Sequence, residues 1–114
     1  MRHGLSGAIR QLDRARRAEL FGEDRQAETM YTEIVLESGV PENVRIIAIY
    51  WLARLAWRTE SRASCLGYLA SLRRSVVVIE EPWRAAAAIL WDRCTAIPGE
   101  VWVEHPSDLS HEGG

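Results

Sequence analysis

The chain has 114 residues, 47% of them apolar, and a formal net charge of −2, which predicts one compact domain or at most two small ones. The balance of charge excludes a broadly basic nucleic-acid coat and an acidic DNA mimic. All fourteen basic residues are arginine, so a Schiff-base lysine and a phosphate-loop lysine are excluded too.

The first two helices are predicted over residues 6–21 and 25–38, with a break at Gly22-Glu23-Asp24. Ser6 and Asp24 are the expected N-caps. The apolar side of the first helix is predicted to hold Leu5, Ile9, Leu12 and Leu20, with Ala8 and Ala15 at its edge. The second helix has a stripe at Ala27, Met30, Tyr31 and Ile34 and is followed by Gly39, expected in the left-handed conformation, and by Pro41.

The third predicted helix, residues 42–58, is apolar on nearly every side, which is typical of a central, buried helix. Thr59-Glu60-Ser61 separates it from a fourth helix. The apolar side of that fourth helix holds Cys65, Leu66, Leu69, Leu72 and Val76. Cys65 and Cys94 lie in apolar helical patterns and are predicted to be buried, reduced thiols. The N-terminus has no apolar signal core, which favours the cytoplasm.

Residues 76–79 fit either a short strand or a continued helix, and residues 101–103 form a second β-like run. The two runs either pair around the last helix or form a helix end and a packed tail. That last helix is predicted over residues 82–97, with its inner stripe at Trp83, Ala87, Leu90, Cys94 and Ile97. The helical domain is therefore placed at residues 1–98, followed by an acidic, flexible tail at 99–114.

The first two helices and the next two align as copies of one hairpin at an offset of 36 residues. Ala18-Glu19-Leu20-Phe21-Gly22, Ala27-x-x-x-Tyr31, Ile34 and Pro41 resemble the skeleton of the tetratricopeptide repeat, and the resemblance covers about residues 8–74. The alternatives are a tetratricopeptide-like stack and a simple helical bundle. In the stack, the resemblance implies that Ile9, Leu12, Arg16 and Leu20 line the concave groove as partner contacts.

The residues needed for catalysis or metal binding are not found at useful spacings. His3, His105 and His111 lie in the terminal segments, away from any helical carboxylate or cysteine partner. Neither cysteine has a histidine nearby in sequence, and there is no nucleophile elbow or phosphate-binding glycine loop. The sequence predicts no enzyme activity, no cofactor and no metal.

Arginines are concentrated at the N-terminus, where five of the fourteen fall within the first 17 residues. Arg10, Arg14 and Arg17, with Phe21 one turn on, form what we call the Arg strip of helix 1. It is either a solvated face or a docking strip for an acidic protein segment or for phosphates, since guanidinium makes bidentate contacts. Three arginines would bind nucleic acid weakly, so that partner is not favoured.

Five tryptophans are many for a core of this size. Trp83 and Trp91 lie about 80° apart around helix 5, so one is expected in the core and the other, taken here as Trp91, near its edge. A partly exposed tryptophan would mark a partner surface or a homodimer seam.

The sequence as a whole predicts a small, all-helical, cytoplasmic protein that binds another protein as an adaptor, chaperone or inhibitor, with no membrane span. The alternative is a helical regulator, either a monomer or a homodimer, that binds nucleic acid or a phosphate-bearing ligand through the Arg strip.

Overall fold

A computed structural model describes residues 5–59, 61–75 and 79–95, with side chains from residue 7 onward. These residues form five α-helices: α1 (Leu5–Leu20), α2 (Asp24–Leu36), α3 (Glu42–Arg58), α4 (Arg62–Arg73) and α5 (Trp83–Thr95). The prediction of an all-α fold is confirmed, and the described ranges contain no strand. The β-like runs at 76–78 and 101–103, the three histidines, Ile97 and the acidic tail lie outside the described residues.

The helices pack as successive antiparallel hairpins. α1 packs on α2, α2 on α3, and α3 on α4, because the loops between them are too short to reach past a neighbour. α5 contacts both α3 and α4, and α3 also contacts α1. α3 is thus the central helix, with eight buried residues along its length, as its apolar sequence predicts.

The turn between α1 and α2 is set by Gly22, whose φ of 81° is favourable only for a residue without a Cβ. The N–H of Glu23 donates to the carbonyl of Ala18 at 2.9 Å and that of Gly22 to Glu19 at 3.0 Å, a Schellman ending. Gly39 has a φ of 94°, as predicted.

Two predicted helix caps are wrong. Ser6 lies inside α1 and therefore cannot be its N-cap. The N-cap of α2 is Glu23, which makes no side-chain capping hydrogen bond, while Asp24 is already in the first helical turn. The carboxylate of Asp24 accepts hydrogen bonds from Arg58 instead.

The predicted inner face of α1 is wrong at Ile9 and Leu20, while Leu12 packs against the core as predicted. The buried side chains of this helix are Ala8, Ala15 and Ala18, whereas Ile9 is 50% exposed and Leu20 75% exposed. Small side chains let two helices approach closely, and the long apolar ones are then left on the outer surface. A prediction from hydrophobicity alone ranks leucine and isoleucine above alanine. It therefore places Ile9 and Leu20 in the core in place of the alanines.

The remaining apolar stripes are confirmed where the structure describes them. Two clusters form the core, one between α1, α2 and α3 and the other between α3, α4 and α5, and Trp51 and Tyr68 pack against both. The first contains Tyr31 and Ile34, and the second contains Leu69. Among the described residues, no helix combines the length and apolar character needed to span a bilayer.

A carboxylate accepts a hydrogen bond from the first turn of α5. Glu81 accepts a hydrogen bond from the backbone N–H of Ala85 at 3.1 Å and another from Arg84 Nε at 2.9 Å. The Arg84 hydrogen bond, followed by the backbone one, lowers the pKa of the Glu81 carboxyl. Its negative charge also interacts favourably with the positive end of the helix dipole.

Candidate functional site: a groove between α3 and α5

A groove of about 370 Å³ runs between α3 and α5 and is bounded by the end of α1. We call it the α3–α5 groove. Its apolar surface comes from Tyr50, Trp57, Ala86, Ile89 and Leu90. Ile89 is 55% exposed and Trp57 38% exposed, so the groove presents large apolar groups to solvent. Paired aromatic and aliphatic groups of this kind are typical of protein interfaces.

The charged lining of the groove is mostly basic, with Arg54, Arg58 and Arg93 facing one acid, Glu19. Arg58 donates to both oxygens of Asp24, at 3.3 and 2.9 Å, and to Glu19 at 3.1 Å. The hydrogen bond to Asp24 is the main reason that the pKa of Arg58 is raised. Among the described residues, Arg54 and Arg93 form no ion pair, and both are exposed. The groove therefore has two guanidinium groups available for an incoming carboxylate.

Glu19 joins three helices through one carboxylate. Its Oε1 accepts hydrogen bonds from Arg16 at 2.8 Å and from the hydroxyl of Tyr31 at 2.9 Å, while its Oε2 accepts from Arg58. Only 10% of the Glu19 side chain is exposed. Burial is the main reason that the pKa of the Tyr31 hydroxyl is raised, so this group stays a donor. We call these residues the Glu19 network.

An aromatic cluster continues the same side of the molecule. The ring of Trp51 lies 5.3 Å from Tyr50 and 5.8 Å from Trp83, centroid to centroid, both in edge-to-face arrangements. The guanidinium carbon of Arg16 lies 3.7 Å from the centroid of Trp51, and that of Arg54 lies 5.4 Å away. Cation–π contacts therefore hold two arginines against a rigid aromatic support.

The structure places the Arg strip at the surface. Arg10, Arg14, Arg17 and Phe21 are all exposed, and Phe21 is 80% exposed. Arg17 forms an exposed ion pair with Asp13 at 3.0 Å. None of these residues lines the α3–α5 groove.

The four residues that the repeat resemblance assigns to a concave surface are divided by the structure. Ile9 and Leu20 are exposed, while Leu12 is partly buried against the first core cluster. Arg16 belongs to the Glu19 network and the aromatic cluster. Trp91 is half-buried against the second core cluster, with the guanidinium of Arg73 4.6 Å above its ring.

The two cysteines meet in the core between α4 and α5. Both are buried and free, with their sulfur atoms 2.6 Å apart. Burial raises the pKa of the Cys65 thiol. Burial also raises the pKa of the Cys94 thiol, and this effect is larger than the lowering caused by the hydrogen bond with Cys65 and the charge of Arg62. A thiol held protonated is a poor nucleophile. Within the described ranges, no group of three histidine, cysteine or acidic residues is placed to hold a metal ion.

Sequence reasoning named none of the nine residues that line the groove as a partner contact, and the exposed ones, Arg54, Trp57, Ile89 and Arg93 among them, were missed with the rest. One signal was present, because Arg54, like Arg45, interrupts a stretch of α3 that is otherwise apolar from Val44 to Trp57. Ile89 likewise falls outside the inner stripe predicted for the last helix. What the sequence does not show is that these positions face each other across two helices distant in the chain.

A second, smaller cavity of about 220 Å³ lies between α2, α3 and α4, beside Glu28 and Tyr68. Burial, with a smaller contribution from Glu28, raises the pKa of the Tyr68 hydroxyl. Large apolar side chains are not exposed along this cavity as they are in the α3–α5 groove. We therefore take the α3–α5 groove as the candidate site.

No protein-family model, curated protein or solved structure matches this chain.

Proposed function

We propose that this chain is a non-enzymatic protein-interaction module, acting in the cytoplasm, that holds a segment of another protein in the α3–α5 groove. The supporting observation is the pairing of exposed apolar groups, Trp57 and Ile89, with two arginines that form no ion pair in the described structure. Apolar anchors beside guanidinium groups are the residue types that dominate binding energy at protein interfaces.

The helix contacts support a tetratricopeptide-like stack as the form of this module. α3 contacts both α1 and α5, so the alternate helices are neighbours along one side. In a stack of helical hairpins, such a row of alternate helices forms the surface on which partners bind. The groove lies on this row, since its lining comes from α1, α3 and α5.

The test uses two matched substitutions of exposed aliphatic residues, Ile89→Glu in the groove and Leu36→Glu at the end of α2. A photo-crosslinker placed at position 89 first identifies a partner in the native cell, and its affinity is then measured with purified proteins. We expect Ile89→Glu to weaken binding by about tenfold or more, as for an interface hot spot. Leu36→Glu should leave the affinity within about twofold, as expected for a residue outside the interface.

Equal affinities for the two variants would refute the groove as the binding site.

The competing function, binding of nucleic acid or a phosphate-bearing ligand through the Arg strip, has its own test. Arg10 and Arg14 are exposed, and they form no ion pair among the described residues. A salt-sensitive shift of short DNA or RNA that is lost in an Arg10→Ala/Arg14→Ala/Arg17→Ala variant would favour that function instead.

A further inference from the structure

The α3–α5 groove has a matching sequence within its own chain. Residues 100–104 read Glu-Val-Trp-Val-Glu and belong to a segment, 96–114, with four acids and no arginine. We propose that Glu100–Glu104 dock in the α3–α5 groove of the same chain, with Trp102 against the apolar surface and the two carboxylates on the groove arginines.

Charge complementarity supports this occupant over the other segments of the chain. Arg54 and Arg93 are exposed on the groove and form no ion pair among the described residues. An occupant that brings two carboxylates supplies one partner for each. The same guanidinium groups would repel the other end of the chain, residues 1–4, which contains Arg2 and no acid.

The spacing within the segment fits the composition of the groove. In extended chain, side chains at positions two apart lie on the same face, so Glu100, Trp102 and Glu104 would point in one direction. The two acids would then stand about 13 Å apart with the indole between them. The groove offers both kinds of partner, since its lining combines the apolar Trp57 and Ile89 with Arg54 and Arg93.

The connection is long enough. α5 ends at Thr95, and the span from Arg93 back to Ala86 along the helix is about 10 Å at 1.5 Å per residue. The five residue steps from Thr95 to Glu100 can cover up to about 17 Å. Pro98-Gly99 is a pair typical of turns, so the chain can reverse there and run back along the groove.

Docking in this way has a regulatory consequence that rests on the proposed function. A partner that uses the α3–α5 groove must displace residues 100–104. Its apparent affinity is therefore its intrinsic affinity multiplied by the fraction of chains in which the groove is free. The groove would then select partners that bring both acidic and apolar groups. The docking itself is a property of the single chain and does not depend on any partner.

The experiment uses the full chain with a benzophenone amino acid in place of Trp102, at low protein concentration. After irradiation, we expect mass spectrometry to locate crosslinks within one chain, on peptides that contain Trp57 or Ile89. The control carries the benzophenone at Leu109, outside the proposed contact, and should show no preference for the groove. Crosslinks from position 102 that are scattered over the surface, or that join two chains, would overturn the proposal.

Matched charge variants test the ionic part. Arg54→Gln with Arg93→Gln removes the two groove charges that form no ion pair among the described residues, and Arg10→Gln with Arg14→Gln removes two other exposed charges, from the Arg strip. Loss of two exposed ion pairs should weaken docking by roughly 3- to 30-fold, so the groove crosslinks should fall in the first variant only. Equal yields in the two variants would overturn the assigned contacts.

The two proposals can fail separately. Groove crosslinks from position 102 without any partner sensitive to Ile89→Glu would retain the docking and reject the proposed function. A partner sensitive to Ile89→Glu, with scattered crosslinks from position 102, would do the reverse.

Discussion

The Glu19 network offers the most direct test of how α1 is held, through the substitution Glu19→Gln. This change keeps the shape of the side chain but removes the charge that Arg16, Tyr31 and Arg58 share, at 2.8, 2.9 and 3.1 Å. It also turns an amide N–H₂ group toward one of those donors. The expected result is a less stable protein, because a carboxylate that is only 10% exposed cannot be replaced by solvent.

The magnitude follows from the exposure of the partners. Hydrogen bonds to a charged group contribute about 1.5–3 kcal/mol when buried. Arg16 is 29% exposed and Arg58 49% exposed, so water can recover part of the loss at both guanidinium groups. We therefore expect the free energy of unfolding to fall by about 2 kcal/mol, or roughly 8–16 °C in Tm for a domain of this size.

The assay is urea unfolding followed by far-UV circular dichroism, with Asp13→Asn as the matched control. Asp13 also pairs with an arginine, at 3.0 Å, but both side chains are more than half exposed, so its loss should cost less than about 0.5 kcal/mol. Tyr31→Phe should cost about 1 kcal/mol alone and clearly less on top of Glu19→Gln. Equal losses for Glu19→Gln and Asp13→Asn would refute the reasoning.

Two further predictions concern the glycines and the thiols. Gly67→Ala should stabilise the protein by about 0.5–1 kcal/mol, because a Cβ at this helical position meets nothing within 4 Å, whereas Gly22→Ala should cost about 1 kcal/mol since its φ is 81°. The free energy of unfolding of both variants is measured in urea, and equal changes in it would contradict the different backbone roles of Gly67 and Gly22. Burial raises the pKa of both Cys65 and Cys94. The stability that the two protonated thiols contribute is therefore complete below the unfolded thiol pKa of about 8.5. It is lost as the pH rises above that value, by up to about 1.4 kcal/mol per pH unit for each thiol. Unfolding measured between pH 7 and 10 should show this slope, and a Cys65→Ala/Cys94→Ala variant should lack most of it; equal slopes in the two proteins would exclude the thiols as its source.

Sequence patterns predicted the middle of this molecule well because burial there follows side-chain size. Tyr31 and Ile34 on α2, and Leu69 on α4, are large apolar residues at helical spacing, and all three are buried. The bounds of α3 were predicted at the observed residues, since Pro41 before it and Thr59 after it limit the helix on both sides.

The groove could not be predicted for a different reason. Arg54 and Arg93 are 39 positions apart in sequence, and their proximity depends on how α5 is placed against α3. A helical wheel shows which residues share one face, but it contains no information about which faces meet. The local Arg strip on α1 was therefore visible, while the groove arginines were not.

The inner face of α1 explains why the Glu19 network matters for this particular helix. Burying three alanine methyl groups contributes on the order of 2 kcal/mol, far less than the same number of leucines would. The ion pairs and hydrogen bonds of Glu19 are of similar size, so they form a large share of what holds α1 to the rest of the fold. The same alanines leave Ile9 and Leu20 at the surface, on the exposed side of α1 that also carries the Arg strip. Because Glu19 also lines the α3–α5 groove, a ligand that competes for Arg58 there would change the hold on α1 as well.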